Sequence, residues 1–199
     1  SIRKSLSFSI INLRKFSFFS SVFISEFEIN LTFSLLFIFL FNKKVGIFKN
    51  RYFFKYGWFF GFGYFLSSLY WIVISLTFDQ SFKFLIPFAL LFIPAFLAIF
   101  YGLITYLFSI FFSKNVASSF LIFSILFGII EFVRGFILTG FPWNLISFSF
   151  SNKIYFIQTL SLIVTYSFNL ICISLFTTPA LFILRNSKKE LILVFFFIL

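Results

Sequence analysis

The chain contains no histidine and a single cysteine, Cys172. Without imidazole there is no His-based acid–base chemistry, no Ser–His–Asp triad, and little from which to build a metal site. One thiol closes no disulfide within the chain and gives no zinc spacing. Cys172 lies in an apolar run with no cation beside it to favour thiolate, so it reads as a small buried apolar side chain. Negative charge is scarce too: five acids stand against 16 Lys and Arg, and charged residues make up 11% of the chain, where a soluble domain carries about a quarter. No Gly- or Pro-rich linker and no internal repeat breaks the sequence. No metal ion or other cofactor is expected. Methionine is absent, the chain opens on Ser, and it stops inside "LILVFFFIL". That run is far shorter than the ~20 apolar residues a membrane helix needs. Both ends read as cuts in a longer protein.

What the chain has is apolar sequence. Hydrophobic residues supply 61% and mean hydropathy is +1.11, as in an integral membrane protein. The 42 phenylalanines read as drift in an AT-rich genome rather than as an aromatic function. The net charge of +11 fits basic loops at a membrane surface, not nucleic-acid binding. The expected fold is all-α, a polytopic transmembrane helix bundle of about six spans plus a truncated seventh. The spans fall near 8–25, 29–41, 57–77, 84–112, 117–138, 154–184 and 191–199. Residues 16–41 read either as one span or as two short spans turning at Glu26, Glu28 and Asn30. Charge favours the second. With Arg3, Lys4, Arg14 and Lys15 inside, a hairpin also places Lys43, Lys44, Lys49, Arg51 and Lys55 inside. Lys114, Arg185, Lys188 and Lys189 follow. Thirteen of the 16 basic residues are then inside; only Lys83, Arg134 and Lys153 are outside. The N-terminus is thus expected to be cytoplasmic and 134–153 external, with the cut last helix running outward.

Gly57 with Gly61, and Gly63 with Ser67, are spaced by four, so each pair shares a helix face. Small faces let membrane helices approach closely; a groove for a lipid chain is the alternative. Trp58, Tyr70 and Trp71 read as interfacial aromatics. Pro87, Pro94 and Pro179 can kink the two longest spans. Asn169 and Gln158 lie within 154–184, where an amide in hydrocarbon is expected to bond to another helix.

Polar and conformationally special residues concentrate in "EFVRGFILTGFPWN", residues 131–144. Glu131 and Arg134 are three apart and can pair on one helix face; ionisable groups at membrane depth face the bundle interior or do work. Gly140 permits positive φ, Phe141 precedes Pro142 and is pushed toward extended geometry, and Thr139 and Asn144 can bond free backbone groups. The stretch reads as a rigid non-helical loop presenting Trp143 at the outer surface, either a purely structural turn or a loop facing substrate.

"E-x-x-R-G-x-x-x-T-G-F-P-W-N" resembles the signature of the bacterial apolipoprotein N-acyltransferase family. "GWFFGFGYFLSSLYWIVISL" (57–76) is similar to that family's third span, and "FNLICISLFTTPALF" (168–182) to the span after the signature loop. The resemblance covers most of 57–184; residues 1–56 match only in layout. It implies a multi-pass protein of the bacterial inner membrane, with a bilayer, a phospholipid acyl donor and an apolipoprotein acceptor as partners. The family moves an acyl chain to the α-amino group of the lipid-modified N-terminal cysteine of lipoproteins, the last step of their maturation. Its Glu–Lys–Cys triad lies in a periplasmic nitrilase-like domain, whose Cys forms a thioester that the lipoprotein amine resolves. That domain is not in these residues, so no triad residue is assigned here, and 1–199 alone is expected to be inactive. The resemblance implies that Thr139, Gly140, Phe141, Pro142, Trp143 and Asn144 form a substrate-facing floor, with Glu131–Arg134 fixing the loop's base. One departure follows Trp143: many members have Gly-Tyr-Ser where this chain has "ISFSFS", and if Phe148 stands in for that Tyr it brings no hydroxyl to hydrogen-bond. A small transporter and a non-catalytic membrane remnant are the alternatives.

Overall fold

The computed structural model describes residues 26–46, 49–69, 76–77, 80–138, 145–147, 165–184 and 192. Among the described residues there are five α-helices and no strand. They are α1 (Glu26–Val45), α2 (Asn50–Ser68), α3 (Ile86–Phe111), α4 (Val116–Ile137) and α5 (Thr165–Leu184), with a 3₁₀ turn (Gln80–Leu85) leading into α3. Among the described residues three segments are long and apolar enough to cross a membrane: Lys83–Phe111, Val116–Ile137 and Thr165–Leu184. The expected span at 8–25 and, apart from residue 192, that at 191–199 lie outside the described residues, as do Gln158, Tyr70 and Trp71.

Local chemistry sets the helix ends. Asn115 caps α4, its side chain accepting from the Ser118 N–H at 3.1 Å. Pro87 falls in the first turn of α3, where its missing N–H costs nothing; it starts the helix rather than kinking it, and the interior prolines are Pro94 and Pro179. α1 begins at Glu26, so Glu26, Glu28 and Asn30 lie in its opening turns and not in a turn between two spans. α2 begins at Asn50 and ends at Ser68, displaced from the expected 57–77. Hydropathy marks where hydrocarbon begins. Arg51 and Lys55 are good helix formers whose heads reach out of it, so the helix runs past that boundary.

The five helices alternate in direction. α2 and α3 form the most extensive antiparallel pair. A Cβ on Gly57 would overlap the Thr105 hydroxyl and the Tyr101 carbonyl, and one on Gly61 would stand 2.8 Å from the Tyr101 Cβ. The backbones meet there, and the Thr105 hydroxyl donates to the Phe53 carbonyl of α2 at 2.7 Å. The Trp58 indole N–H donates to the Ala95 carbonyl of α3 at 3.1 Å. Gly63 has open space where a Cβ would stand. Ser67 is exposed and donates to Tyr64 of its own helix; neither lies at that interface.

Aromatic rings fill the centre. Phe33 and Phe37 of α1 meet Phe127 and Phe123 of α4, each pair at 5.3 Å, and Tyr101 of α3 meets Phe127 at 5.1 Å. Edge-on pairs of this kind contribute about 0.5–1.5 kcal/mol beyond area burial. α5 packs on α1 and α4, and the Ser34 hydroxyl donates to the Phe176 carbonyl at 2.8 Å. Phe41 and Phe112 meet at 5.3 Å, which brings the Lys43–Lys55 hairpin and Lys114 to one end of the bundle. The end of α4 that carries Glu131 and Arg134 is the opposite one.

Candidate functional site

The buried stripe of α4 runs through Phe120, Phe123, Phe127 and Ile130 and reaches Glu131 and Arg134. The i, i+3, i+4 spacing that buries the phenylalanines therefore also buries the two charges. Each is 1% exposed, and Arg134 Nη2 donates to Glu131 Oε2 at 2.6 Å. Desolvating two charges is costly, and breaking such a pair costs about 3–5 kcal/mol because the survivor is left buried.

Two other helices support the pair. Phe65 of α2 lies under the guanidinium, 5.2 Å from ring centroid to Arg134 Cζ. The Tyr101 phenol of α3 lies beside the Glu131 carboxylate, and Tyr64 of α2 sits within electrostatic range of both charges. On the far side, a Cβ at Gly135 would collide with the Tyr166 hydroxyl, and the Tyr166 ring meets Phe132 edge-on at 5.2 Å. Gly135 is thus a close-approach position that lets α5 lie against the last turn of α4.

α4 closes with the Leu138 N–H donating to the Arg134 carbonyl at 3.0 Å. The loop positions Thr139, Gly140, Phe141, Pro142, Trp143 and Asn144, together with Phe148, lie outside the described residues. The chain is described again at Leu145, Ile146 and Ser147, all buried. There the Ser147 N–H donates to Asn169 Oδ1 of α5 at 3.0 Å, and Asn169 is fully buried. Residues 139–144 are therefore bracketed in the sequence by two buried polar contacts, Glu131–Arg134 before them and Asn169–Ser147 after them, on two helices that pack together.

Among the described residues no cluster of His, Cys, Asp or Glu suits a metal ion, and Cys172 is buried in α5. Sequence reasoning missed Tyr64, Phe65, Tyr101 and Tyr166. Phe65 carried a signal, since it lies four residues after Gly61 on the face that meets α3. Tyr101 carried none that set it apart from the other tyrosines. Asn169 was expected to bond to another helix; its partner is instead the backbone just after the loop.

Residues 20–178 match the family described as apolipoprotein N-acyltransferase N-terminal domain. The chain is 40% identical over 130 residues to an apolipoprotein N-acyltransferase of Rickettsia typhi, covering 65% of this chain and 26% of that protein. It is 42% identical over 114 residues to one of Rickettsia prowazekii, covering 57% and 23%. With one of Brucella melitensis the identity is 38% over 117 residues, covering 58% and 22%. The chain spans about a quarter of the length of these relatives. No solved structure matches it.

Proposed function

The chain belongs to the apolipoprotein N-acyltransferase N-terminal domain family, and from that premise we propose that it is the membrane part of an enzyme acylating lipoproteins. The acyl chain would come from a phospholipid and pass to the α-amino group of a lipid-modified N-terminal cysteine. The helices admit both lipid-bearing substrates laterally. The loop from Thr139 to Asn144 forms the floor on which they rest, and Glu131–Arg134 holds its base. The Glu–Lys–Cys triad belongs to a nitrilase-like domain carried by further sequence, in line with relatives of which the matched stretch is about a quarter.

The observation that carries this reading is the bracketed loop. A family match over 20–178 coincides with a hexapeptide whose two flanks are fixed by buried polar contacts. A segment whose neighbours on both sides are fixed in this way suits a surface that must keep its shape under a mobile lipid.

The proposed orientation is a bacterial inner-membrane protein of six spans and the start of a seventh, with a cytoplasmic N-terminus and 134–153 periplasmic. The gathering of Lys43, Lys44, Arg51, Lys55 and Lys114 at the end away from the loop supports it.

In a full-length enzyme, Trp143→Ala is expected to lower acyl transfer to a lipoprotein while leaving the amount of protein in the membrane unchanged. Unaltered transfer would remove the loop from the reaction. Residues 1–199 alone are expected to transfer nothing, and measurable transfer by them would overturn the assignment of the triad to another domain. The reading frame downstream of Leu199 tests the same point: a hydrolase-like domain with Glu, Lys and Cys supports it, and a stop codon sinks it.

A further inference from the structure

An open apolar groove runs between α1 and α2. Leu35, Leu36 and Phe39 line one wall and Tyr56, Phe59 and Phe60 the other, around a volume of about 380 Å³. Leu35 is 53% and Phe59 66% exposed, so no described helix covers this face. The Phe39 and Tyr56 rings meet edge-on at 4.9 Å and join the two walls.

The register of the two helices gives the groove a direction. On α1, steps of four lead from Leu35 to Phe39 to Lys43. On α2, which runs the other way, steps of four lead from Phe59 back to Lys55 and Arg51. Both stripes change from apolar to basic toward the same end of the bundle. The Lys43 ammonium lies 5.5 Å over the Phe39 ring, at the mouth of the groove, and Arg51 and Lys55 are exposed. No acidic residue occurs between Glu28 and Asp79. The same residues hold an apolar trough and a positive rim in continuous register, the shape and charge of an anionic amphiphile.

We propose that this groove binds one anionic glycerophospholipid of the bilayer, an acyl chain lying along Leu35, Phe39 and Phe59 and the phosphate held by Lys43, Arg51 and Lys55. Basic sites between membrane helices hold anionic head groups in this way, and cations that served only to orient the hairpin would need no trough behind them. The trough runs beside about 10 Å of helix from Thr32 to Phe39, enough for part of one chain. Assignment to the cytoplasmic leaflet rests on the proposed orientation; the binding itself needs only a bilayer.

Native mass spectrometry of the purified chain, with phosphatidylglycerol or phosphatidylcholine added to the micelles, tests this. One retained phosphatidylglycerol is expected, with at least tenfold preference over phosphatidylcholine. Lys43→Gln, Arg51→Gln and Lys55→Gln together should abolish the preference. Leu35→Trp, which fills the trough with the cations intact, should abolish retention as well. Should that variant not fold, Phe59→Gln, at a position more than half exposed, asks the same question. Equal retention of both lipids overturns the proposal. So does retention that survives the trough variants, which would leave surface electrostatics only. A photo-cross-linker at position 59 should yield lipid adducts. Adducts to a peptide from residues 8–25, or to a second copy of the chain, would show that protein fills the groove and overturn it too. None of these results bears on acyl transfer, so the two readings fail separately.

Discussion

The two ends of the bundle carry the same kind of charge and use it in opposite ways. At one end Arg134 is 1% exposed, paired with Glu131 and enclosed by Phe65, Tyr101 and Tyr64. At the other, Lys43, Arg51 and Lys55 sit on rings or in the open beside an uncovered trough. A cation at a helix end that reaches water anchors the helix and costs little. A cation turned inward must be paired, and once paired it fixes whatever is built on it. The buried charge therefore fixes the packing at its end of the bundle, whereas the exposed charges shape a surface.

The largest effect is expected at the inward pair. Arg134→Met strands a buried carboxylate and should lower stability by about 3–5 kcal/mol, read as an earlier thermal transition of the detergent-solubilised protein. Replacing both partners, Glu131→Met with Arg134→Met, removes the desolvated charges together and should recover most of that loss. A double variant as unstable as the single one would show that the fold needs something other than pairing at this site. Next comes the other side of the loop. Asn169→Leu leaves the buried Ser147 N–H without its acceptor, which costs about 1–3 kcal/mol. The loss should be local: faster hydrogen exchange at residues 145–147, with α2 and α3 unchanged. Equal acceleration across all the helices would mean that Asn169 holds the bundle and not the loop.

Much of the loop end was legible in the sequence and much of its support was not. Glu131 and Arg134 could be read because three-residue spacing on a helix makes a pair from sequence alone. Their burial followed from being ionisable in an apolar run. The expected loop between Thr139 and Asn144, read from its Gly and Pro, lies outside the described residues. What could not be read was the company the pair keeps. Phe65 and Tyr101 reach it from α2 and α3 because Gly57 and Gly61 let those helices meet at one particular height. Spacing reveals a small face but not the register at which it docks. Helix boundaries were poorly legible for a related reason. Hydropathy follows the membrane, so it placed α2 at 57–77, while the backbone became helical at Asn50 as soon as good helix formers allowed. The trough between α1 and α2 is a product of two stripes in register, and neither stripe alone distinguishes it from an ordinary lipid-facing surface.

The smallest effect is expected at the outward cations, and it is the result on which the contrast between the ends depends. Arg51 is exposed; its contacts are the Tyr52 ring at 5.3 Å and the Tyr52 hydroxyl at 3.5 Å, both on the neighbouring residue and both open to solvent. Arg51→Gln removes the charge without stranding a partner, so stability should stay within about 0.5 kcal/mol of the parent in the thermal assay used for Arg134→Met. Phosphatidylglycerol retention should nevertheless fall. A group that anchors a lipid and carries no packing moves the second measurement and not the first, and Arg134→Met should move the first far more than the second. If Arg51→Gln instead destabilised the bundle as strongly as Arg134→Met, exposed and buried charge would be doing the same work, and burial would not be what separates the two ends.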